Sequence, residues 1–248
     1  MKNLSKNLFL FLYGQHPYAT IFSWNWLYVR KIVGWYKENL SIFRKKVVID
    51  YGAGTSPYYG LIKNDVARYV ALDFYDKDID TAGIEKIKLC EDGSIPSLVT
   101  GEADVILSNQ VIMEVDSLEK YFSNVNKLSK KGSKLFLTSP FMQTLGPNDN
   151  FRISPAYINK ILKRNGFELL KYSTAGYFFV GAGLSLNMAM ILKNEYNFNK
   201  EPAVSIRRMI IFTPLIFLVN ILSIALDKIF PLYRSPSNFL IIAEKNDL

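Results

Sequence analysis

From residue 47 onward the chain alternates short β-rich apolar runs with stretches long enough for helices, and this alternation limits the fold more than any other feature. The runs lie at residues 47–49, 69–72, 84–90, 103–107, 135–137, 167–172 and 239–243. They are too short for helices and mostly lack polar–apolar alternation, so they read as strands covered on both faces. Parallel strands of that kind need crossover helices between them, which predicts an α/β, Rossmann-like doubly wound sheet. One intervening helix is bracketed by its own sequence: Ser154 as N-cap, Pro155 at the first helical position and Gly166 past the end predict a helix over residues 155–165. Helical spacing of apolar residues also predicts a helix over residues 26–43, ending in Arg44-Lys45-Lys46.

Composition sets the outer bounds. A chain of 248 residues, 49% apolar, suffices for one well-buried domain with an insertion and excludes two large domains. With 21% charged residues, 14 glycines and 10 prolines, neither disorder nor a fibrous repeat fits. A single cysteine, Cys90, excludes a disulfide framework and a multi-cysteine zinc site and suits a reducing compartment. On its apolar run Cys90 reads as a small buried hydrophobe. The one histidine, His16, sits outside every motif; it is the only side chain whose unperturbed pKa lies near neutrality, and a lone histidine counts against triad or His-metal chemistry. No metal site is read.

The net charge of +8 is unevenly placed. Residues 1–46 hold eight Lys/Arg against Glu38, a net of +7, with all three tryptophans (Trp24, Trp26, Trp35) and eleven of the 35 aromatics. A basic, aromatic segment suits a surface that meets phosphates, of lipid headgroups or of nucleic acid; the alternative is an amphipathic helix docked on the core with its lysines in water. Residues 8–13 form an apolar run of only six, with no small-residue cleavage site after it, so they are expected to belong to the mature protein. A second unusual stretch separates the last two strands. Residues 177–192 are apolar and glycine-containing, and residues 209–226 carry no charge. As a helix the latter would be about 27 Å long, near the roughly 30 Å of a bilayer core. A single crossing would strand residues 239–243 on the wrong side of the membrane from their sheet. The expectation is therefore a hairpin that dips in and returns, a helix lying in the interface, or a buried hairpin or dimer contact. The domains expected are an N-terminal helical arm at 1–46 and a catalytic domain at 47–248 with an insertion at about 177–235.

The most specific local signal is Asp50-Tyr51-Gly52-Ala53-Gly54-Thr55-Ser56 after the first strand. Its glycines let the backbone approach a ligand at the strand's C-terminal edge. Pro57 stands where a dinucleotide fingerprint needs glycine, and no Gly-Lys-Ser/Thr follows, so the turn is no P-loop. The segment resembles the first motif of class I S-adenosylmethionine (SAM)-dependent methyltransferases, of the type 11 group, an acidic residue followed by spaced glycines. Asp73, ending the second strand nineteen residues after Gly54, is similar to the acid that receives the ribose hydroxyls, with Phe74 beside it. Asp92 and Gly93 resemble the turn that meets adenine. Residues 103–115 resemble the fourth-strand motif, with Glu114 matching and Val115 in place of the family's histidine. Residues 149–154 resemble an aromatic-Arg-x-Ser/Thr element.

The resemblance implies a seven-stranded sheet whose last strand is antiparallel, SAM as cofactor, and Asp50, Gly52, Ala53, Gly54, Asp73, Phe74, Asp92, Gly93 and Asn109 as cofactor-binding residues. Methyl transfer needs the nucleophile and methyl group held in line, because the sulfonium brings its own leaving group. Asn109 and Gln110 are the candidates for lining that centre. Glu114, Asp149 and Asp116 are the candidate bases, and Arg152 is expected to lock its loop or bind an anion. With the basic arm and apolar insertion, the expected enzyme is cytoplasmic, peripheral on the inner face of the membrane, and acts on a small-molecule, lipid or lipid-linked glycan acceptor. Membrane contact is expected through residues 1–46 and 177–235. Nucleic acid is not the expected partner, since no Asn/Asp-Pro-Pro-aromatic motif follows the fourth strand. The rival readings are a catalytically silent methyltransferase-like scaffold and an NAD-dependent reductase; Pro57 counts against the reductase.

Overall fold

The apolar runs become strands, and their order in the sheet follows how apolar they are. The computed structural model describes residues 8, 11–14, 16–74, 82–143, 146, 148–192 and 204–246. Strands β1 (Val47–Tyr51), β2 (Arg68–Asp73), β3 (Ile84–Lys88), β4 (Ala103–Asn109), β5 (Ser129–Pro140), β6 (Phe167–Gly176) and β7 (Asn238–Lys245) form one sheet in the order β3-β2-β1-β4-β5-β7-β6. β1 pairs parallel with β2 and β4, setting Val48 opposite Tyr69 on one side and Val105 on the other. β3 and β5 continue the parallel ladder, and β7 runs antiparallel. Central residues such as Ile49, Val70, Leu72, Ile106 and Leu135 are fully buried. The edge strands are polar: β3 exposes Lys86 and Lys88 and β6 exposes Glu168 and Lys171, which discourages pairing with a further chain.

Six helices are described: α1 (Trp26–Glu38), α2 (Tyr59–Ile62), α3 (Leu118–Leu128), α4 (Pro155–Arg164), α5 (Phe178–Ile191) and α6 (Ile206–Ile229). α4 begins as its sequence dictates, with the Ser154 hydroxyl accepting the Tyr157 N–H at 3.2 Å and Pro155 in the first turn. α1 is shorter than its periodicity predicts. The Asn39 amide donates to the Trp35 carbonyl at 2.6 Å, and a 3₁₀ turn at Leu40–Ile42 replaces the last helical turn.

The chain divides into two compact units. The first comprises residues 35–139, 150–173 and 239–248 and holds most of the sheet. There α3 buries Tyr121, Phe122, Val125 and Leu128, and Tyr36 stacks on Tyr58 with ring centroids 5.1 Å apart and meets Phe136 at 4.8 Å. The second comprises residues 1–34, 140–149 and 174–238. The division follows contact rather than chain order, so the N-terminal segment and the apolar insertion share a unit and the boundary falls inside α1. Leu12 clusters with Met190, Ile191, Met209, Ile216 and Val219, and Leu27 with Val180 and Leu184.

Polar contacts tie this second unit together as well. The Asn187 amide donates to Asn220 Oδ1 at 2.9 Å and to the Trp24 carbonyl at 3.0 Å; Asn220 donates to the carbonyls of Ile21 at 2.7 Å and Ser23 at 3.1 Å. Asp227 on α6 accepts the N–H groups of Tyr177 at 2.5 Å and Phe179 at 2.9 Å, capping the start of α5. Among the described residues α6 alone is long and apolar enough to cross a membrane, by length and composition.

One expectation is corrected. Cys90 is exposed, because β3 ends at Lys88 and Cys90 lies in the following turn, its N–H bonded to the Ser94 carbonyl. His16 is half-buried, 2.9 Å from the Tyr28 hydroxyl, and desolvation pushes its pKa down to about 4, so it is neutral at physiological pH.

Candidate functional site

In the parallel part of the sheet the C-terminal ends of β3, β2, β1 and β4 lie side by side, and the strand order reverses between β1 and β4. Open α/β sheets bind ligands at such a reversal. The turn leaving β1 passes through Gly52 at φ 77° and Gly54 at φ 54°, and the two glycines serve different ends. A Cβ on Gly52 would lie 2.5 Å from the Val111 side chain, so this position keeps room for the loop after β4. A Cβ on Gly54 would meet nothing within 4 Å. Packing therefore does not demand glycine there; the open space lies where the backbone would face a ligand.

Asp73 holds this turn in place. Its Oδ2 accepts the Gly54 N–H and its Oδ1 accepts the Phe74 N–H, each at 2.7 Å. Each carboxylate oxygen keeps a second lone pair, so the half-buried side chain can still receive two hydroxyl donors. The half-exposed Phe74 ring lies against Gly93. The Asp92–Gly93 turn is fixed from two sides. Asp92 Oδ1 accepts the Ser94 N–H at 2.9 Å, and the Asn124 amide bridges the Gly93 carbonyl at 2.9 Å to the Tyr51 hydroxyl at 2.8 Å. Hydrogen bonds from the Ser94 hydroxyl and N–H, aided by the Lys120 charge, hold the exposed Asp92 carboxyl below its ordinary pKa. Gly52, Ala53, Gly54, Asp73, Phe74, Asp92 and Gly93 thus gather at one edge of the sheet, with Asn109 and Gln110 at the end of the adjoining β4.

Asp50 plays a different part from its neighbours. It is buried beneath the turn, where its Oδ2 accepts the Tyr69 hydroxyl at 2.5 Å. Burial, aided by the nearby Asp73 charge and opposed by the Tyr69 hydrogen bond, raises its pKa to about 7. Burial and Asp50 also push the Tyr36 phenol well up, so it remains protonated. The Asn109 amide donates to the Tyr36 hydroxyl at 2.6 Å, and Asn109 Oδ1 accepts from Thr138 at 3.3 Å. Gln110 donates to Thr138 Oγ1 at 3.1 Å and sits at φ 58°, a left-handed conformation costly for a residue with a side chain. Tyr36, Tyr69 and Thr138 therefore complete the floor of the site, and sequence reading missed all three. The only local signal was a hydroxyl-bearing residue within an apolar run.

The candidate bases are placed less closely. Glu114 and Asp116 are exposed, and the Glu114 carbonyl accepts from Asn150 at 3.3 Å. Asp149 belongs to the second unit, where its carboxylate accepts the Gly146 N–H at 2.6 Å. Arg152 donates to the Phe151 carbonyl at 3.4 Å. Asp104 pins the sheet rather than the site, accepting the Val47 N–H and pairing with Lys130, both at 2.9 Å.

Comparison with known proteins agrees with this geometry. Residues 49–137 match the family described as methyltransferase domain. No curated protein sequence matches the chain. Among solved structures, a SAM-dependent methyltransferase from Archaeoglobus fulgidus is similar at TM-score 0.56 and 17% identity, covering 96% of this chain and 99% of that one. A SAM-dependent methyltransferase from Mesorhizobium loti matches at 0.50 and 12%, covering 85% and 97%. The [4+2]-cyclase SpnF matches at 0.58 and 10%, covering 88% and 82%. At these identities the likeness is one of fold, and a cyclase among the neighbours shows that the fold serves more than one reaction. The matched segment carries the glycine turn, Asp73 and Asp92 on that fold, and residues 49–137 form a methyltransferase domain, a family match that implies SAM as the cofactor.

Proposed function

We propose that this chain transfers a methyl group from SAM to a small-molecule, lipid or lipid-linked glycan acceptor, working from the cytoplasm at the inner face of the membrane. The cofactor half rests chiefly on Asp73: a carboxylate at the end of β2, oriented by two backbone N–H groups, with lone pairs left for two ribose hydroxyls. Phe74, Asp92 and Gly93 would hold the adenine, and the backbone of Gly52, Ala53 and Gly54 would approach the remainder of the cofactor. When bound, SAM supplies an activated methyl group on a sulfonium that leaves as a neutral thioether. The protein's task is then alignment and exclusion of water. Asn109 and Gln110 are held by Tyr36 and Thr138, which suits a fixed wall beside the transferring methyl. Glu114 and Asp149 are the proposed bases for a hydroxyl acceptor.

The acceptor half rests on the second unit. α6 leaves a row of large aliphatic side chains in the open, and only 28% of its most apolar 18-residue stretch is buried. Such a face suits an acceptor presented by a membrane. Labelled SAM incubated with the protein and with lipid and sugar-lipid extracts tests this: transfer of label to an extractable lipid is expected, and transfer only to water-soluble acceptors contradicts a membrane-borne acceptor and leaves the small-molecule one.

A second reading is a domain that binds SAM without turning it over. It is favoured by one observation, that both amides at the mouth of β4 are already engaged within the protein. Production of S-adenosylhomocysteine with any acceptor decides against it.

A further inference from the structure

We infer that the α5–α6 hairpin, with the N-terminal segment folded against it, is a module embedded in one leaflet of a lipid bilayer, with polar side chains facing its own interior and aliphatic side chains facing acyl chains. The inference rests on the membrane-surface reading above and states how the chain holds the surface.

Three polar side chains lie in the uncharged stretch of α6: Thr213, Asn220 and Ser223. Thr213 bonds its own helix at the Met209 carbonyl, 2.6 Å away. Asn220 is buried and bonded to Asn187 and to two carbonyls of the N-terminal segment, and Ser223 is buried against Gly183 of α5. One turn on, the buried Asp227 caps α5. The opposite face carries Ile210, Ile211, Leu215, Leu218, Ile221 and Leu222, which are 41 to 70% exposed. A helix on a water-soluble core has the reverse arrangement. Helices in lipid join through small residues and hydrogen-bonded polar side chains and turn aliphatic groups outward, as here.

The surroundings of this stripe point to the same partner. Phe22 stacks on Phe217 with centroids 5.3 Å apart, Phe11 lies 6.3 Å from Phe22, and both Phe11 and Phe22 are exposed, so the apolar face extends onto the N-terminal segment. Exposed Arg207 and Lys228 end the stripe on either side, and no acid interrupts it, which fits anionic headgroups. The mode of contact is set by length. α5 has 14 residues, about 21 Å, too short to cross a roughly 30 Å core. The sequence joining the helices includes Lys193, Glu195, Lys200 and Glu201, which are costly to bring into hydrocarbon. The hairpin therefore enters and leaves on one side, with α6 along the interface.

The test uses full-length protein and vesicles of phosphatidylcholine with phosphatidylglycerol. A nitrobenzoxadiazole probe is placed at Leu218→Cys in a Cys90→Ser background. Its emission should shift to the blue on adding vesicles and be quenched more by a nitroxide on the acyl chain than by one on the headgroup. Wild-type protein should float with the vesicles and remain bound in high salt. Leu218→Glu with Leu222→Glu should lower the bound fraction at least about tenfold with an unchanged circular dichroism spectrum. Three outcomes overturn the inference: release by high salt alone, a protein that never floats, or a blue shift without vesicles that tracks formation of a dimer. SAM calorimetry on the same preparation keeps the two readings apart. Heat without flotation rejects this inference and leaves methyl transfer standing; flotation without heat does the reverse.

Discussion

The two compact units of this chain solve the problem of burying polar groups in opposite ways. In the sheet unit the central strands are aliphatic along their middles, and the acids of the candidate site lie toward the C-terminal strand ends, Asp50 buried beneath the β1 turn and Asp73 and Asp92 at the rim. In the helical unit the interior is stitched by Asn187, Asn220 and Asp227 while isoleucines and leucines of α6 face outward. One side is arranged as a water-soluble core with a polar site at its lip. The other is arranged as a core whose surroundings are apolar. The difference teaches that the mild overall hydropathy of this chain averages two unlike environments, each readable only through where its polar atoms go.

The largest expected effect strikes the helical interior. Asn220→Leu increases hydropathy yet strips the Ile21 carbonyl of its partner and removes one hydrogen bond each from the Ser23 carbonyl and the Asn187 side chain. At about 1 to 3 kcal/mol for the abandoned carbonyl and about 0.5 to 1.5 kcal/mol for each of the two other lost hydrogen bonds, it should cost roughly 2 to 6 kcal/mol in denaturant unfolding; a neutral result would break the contrast between the units. In the sheet unit Gly52→Ala should cost about 2 to 4 kcal/mol, from a clash with Val111 and a left-handed backbone. Val111→Ala should restore part of that loss. Gly54→Ala should cost only about 1 kcal/mol, with a proportionally larger fall in SAM affinity, since its Cβ would enter open space. Asp73→Ala should weaken SAM binding about a hundredfold, near 2.7 kcal/mol, by calorimetry.

A further effect concerns pH. Asp50 has a folded pKa of about 7 against an ordinary 3.8, so between those values the folded protein keeps a proton that the unfolded chain has released. Its contribution to stability is therefore fully present below about pH 4 and is lost as pH rises through about 7, at up to about 1.4 kcal/mol per pH unit. Unfolding midpoints measured across that window should flatten in Asp50→Asn. A wild-type contribution that rises with pH would contradict the burial of this carboxyl.

Much of the sheet unit was legible in the sequence because its signals are local. An unbroken apolar run, Ser154-Pro155 before a helix and Asp50-x-Gly-x-Gly after a strand each specify backbone within a few residues. Asp73 could be found because it ends a strand. Tyr36 and Tyr69 could not, since their meaning depends on the Asn109 amide, 73 residues from Tyr36, and on Asp50, 19 residues from Tyr69. The union of the N-terminal segment with the insertion was hidden for the same reason, as it rests on bonds such as Asn220 to Ile21, 199 residues apart. Cys90 was misjudged because hydropathy does not mark the residue at which a strand stops.

Calorimetric titration of the full-length protein with SAM, alongside Asp73→Ala, tests the central claim most directly. The account predicts saturable one-site binding to the wild type and an affinity about a hundredfold weaker in the variant. No heat with SAM or S-adenosylhomocysteine, or equal affinity in the two proteins, would contradict it.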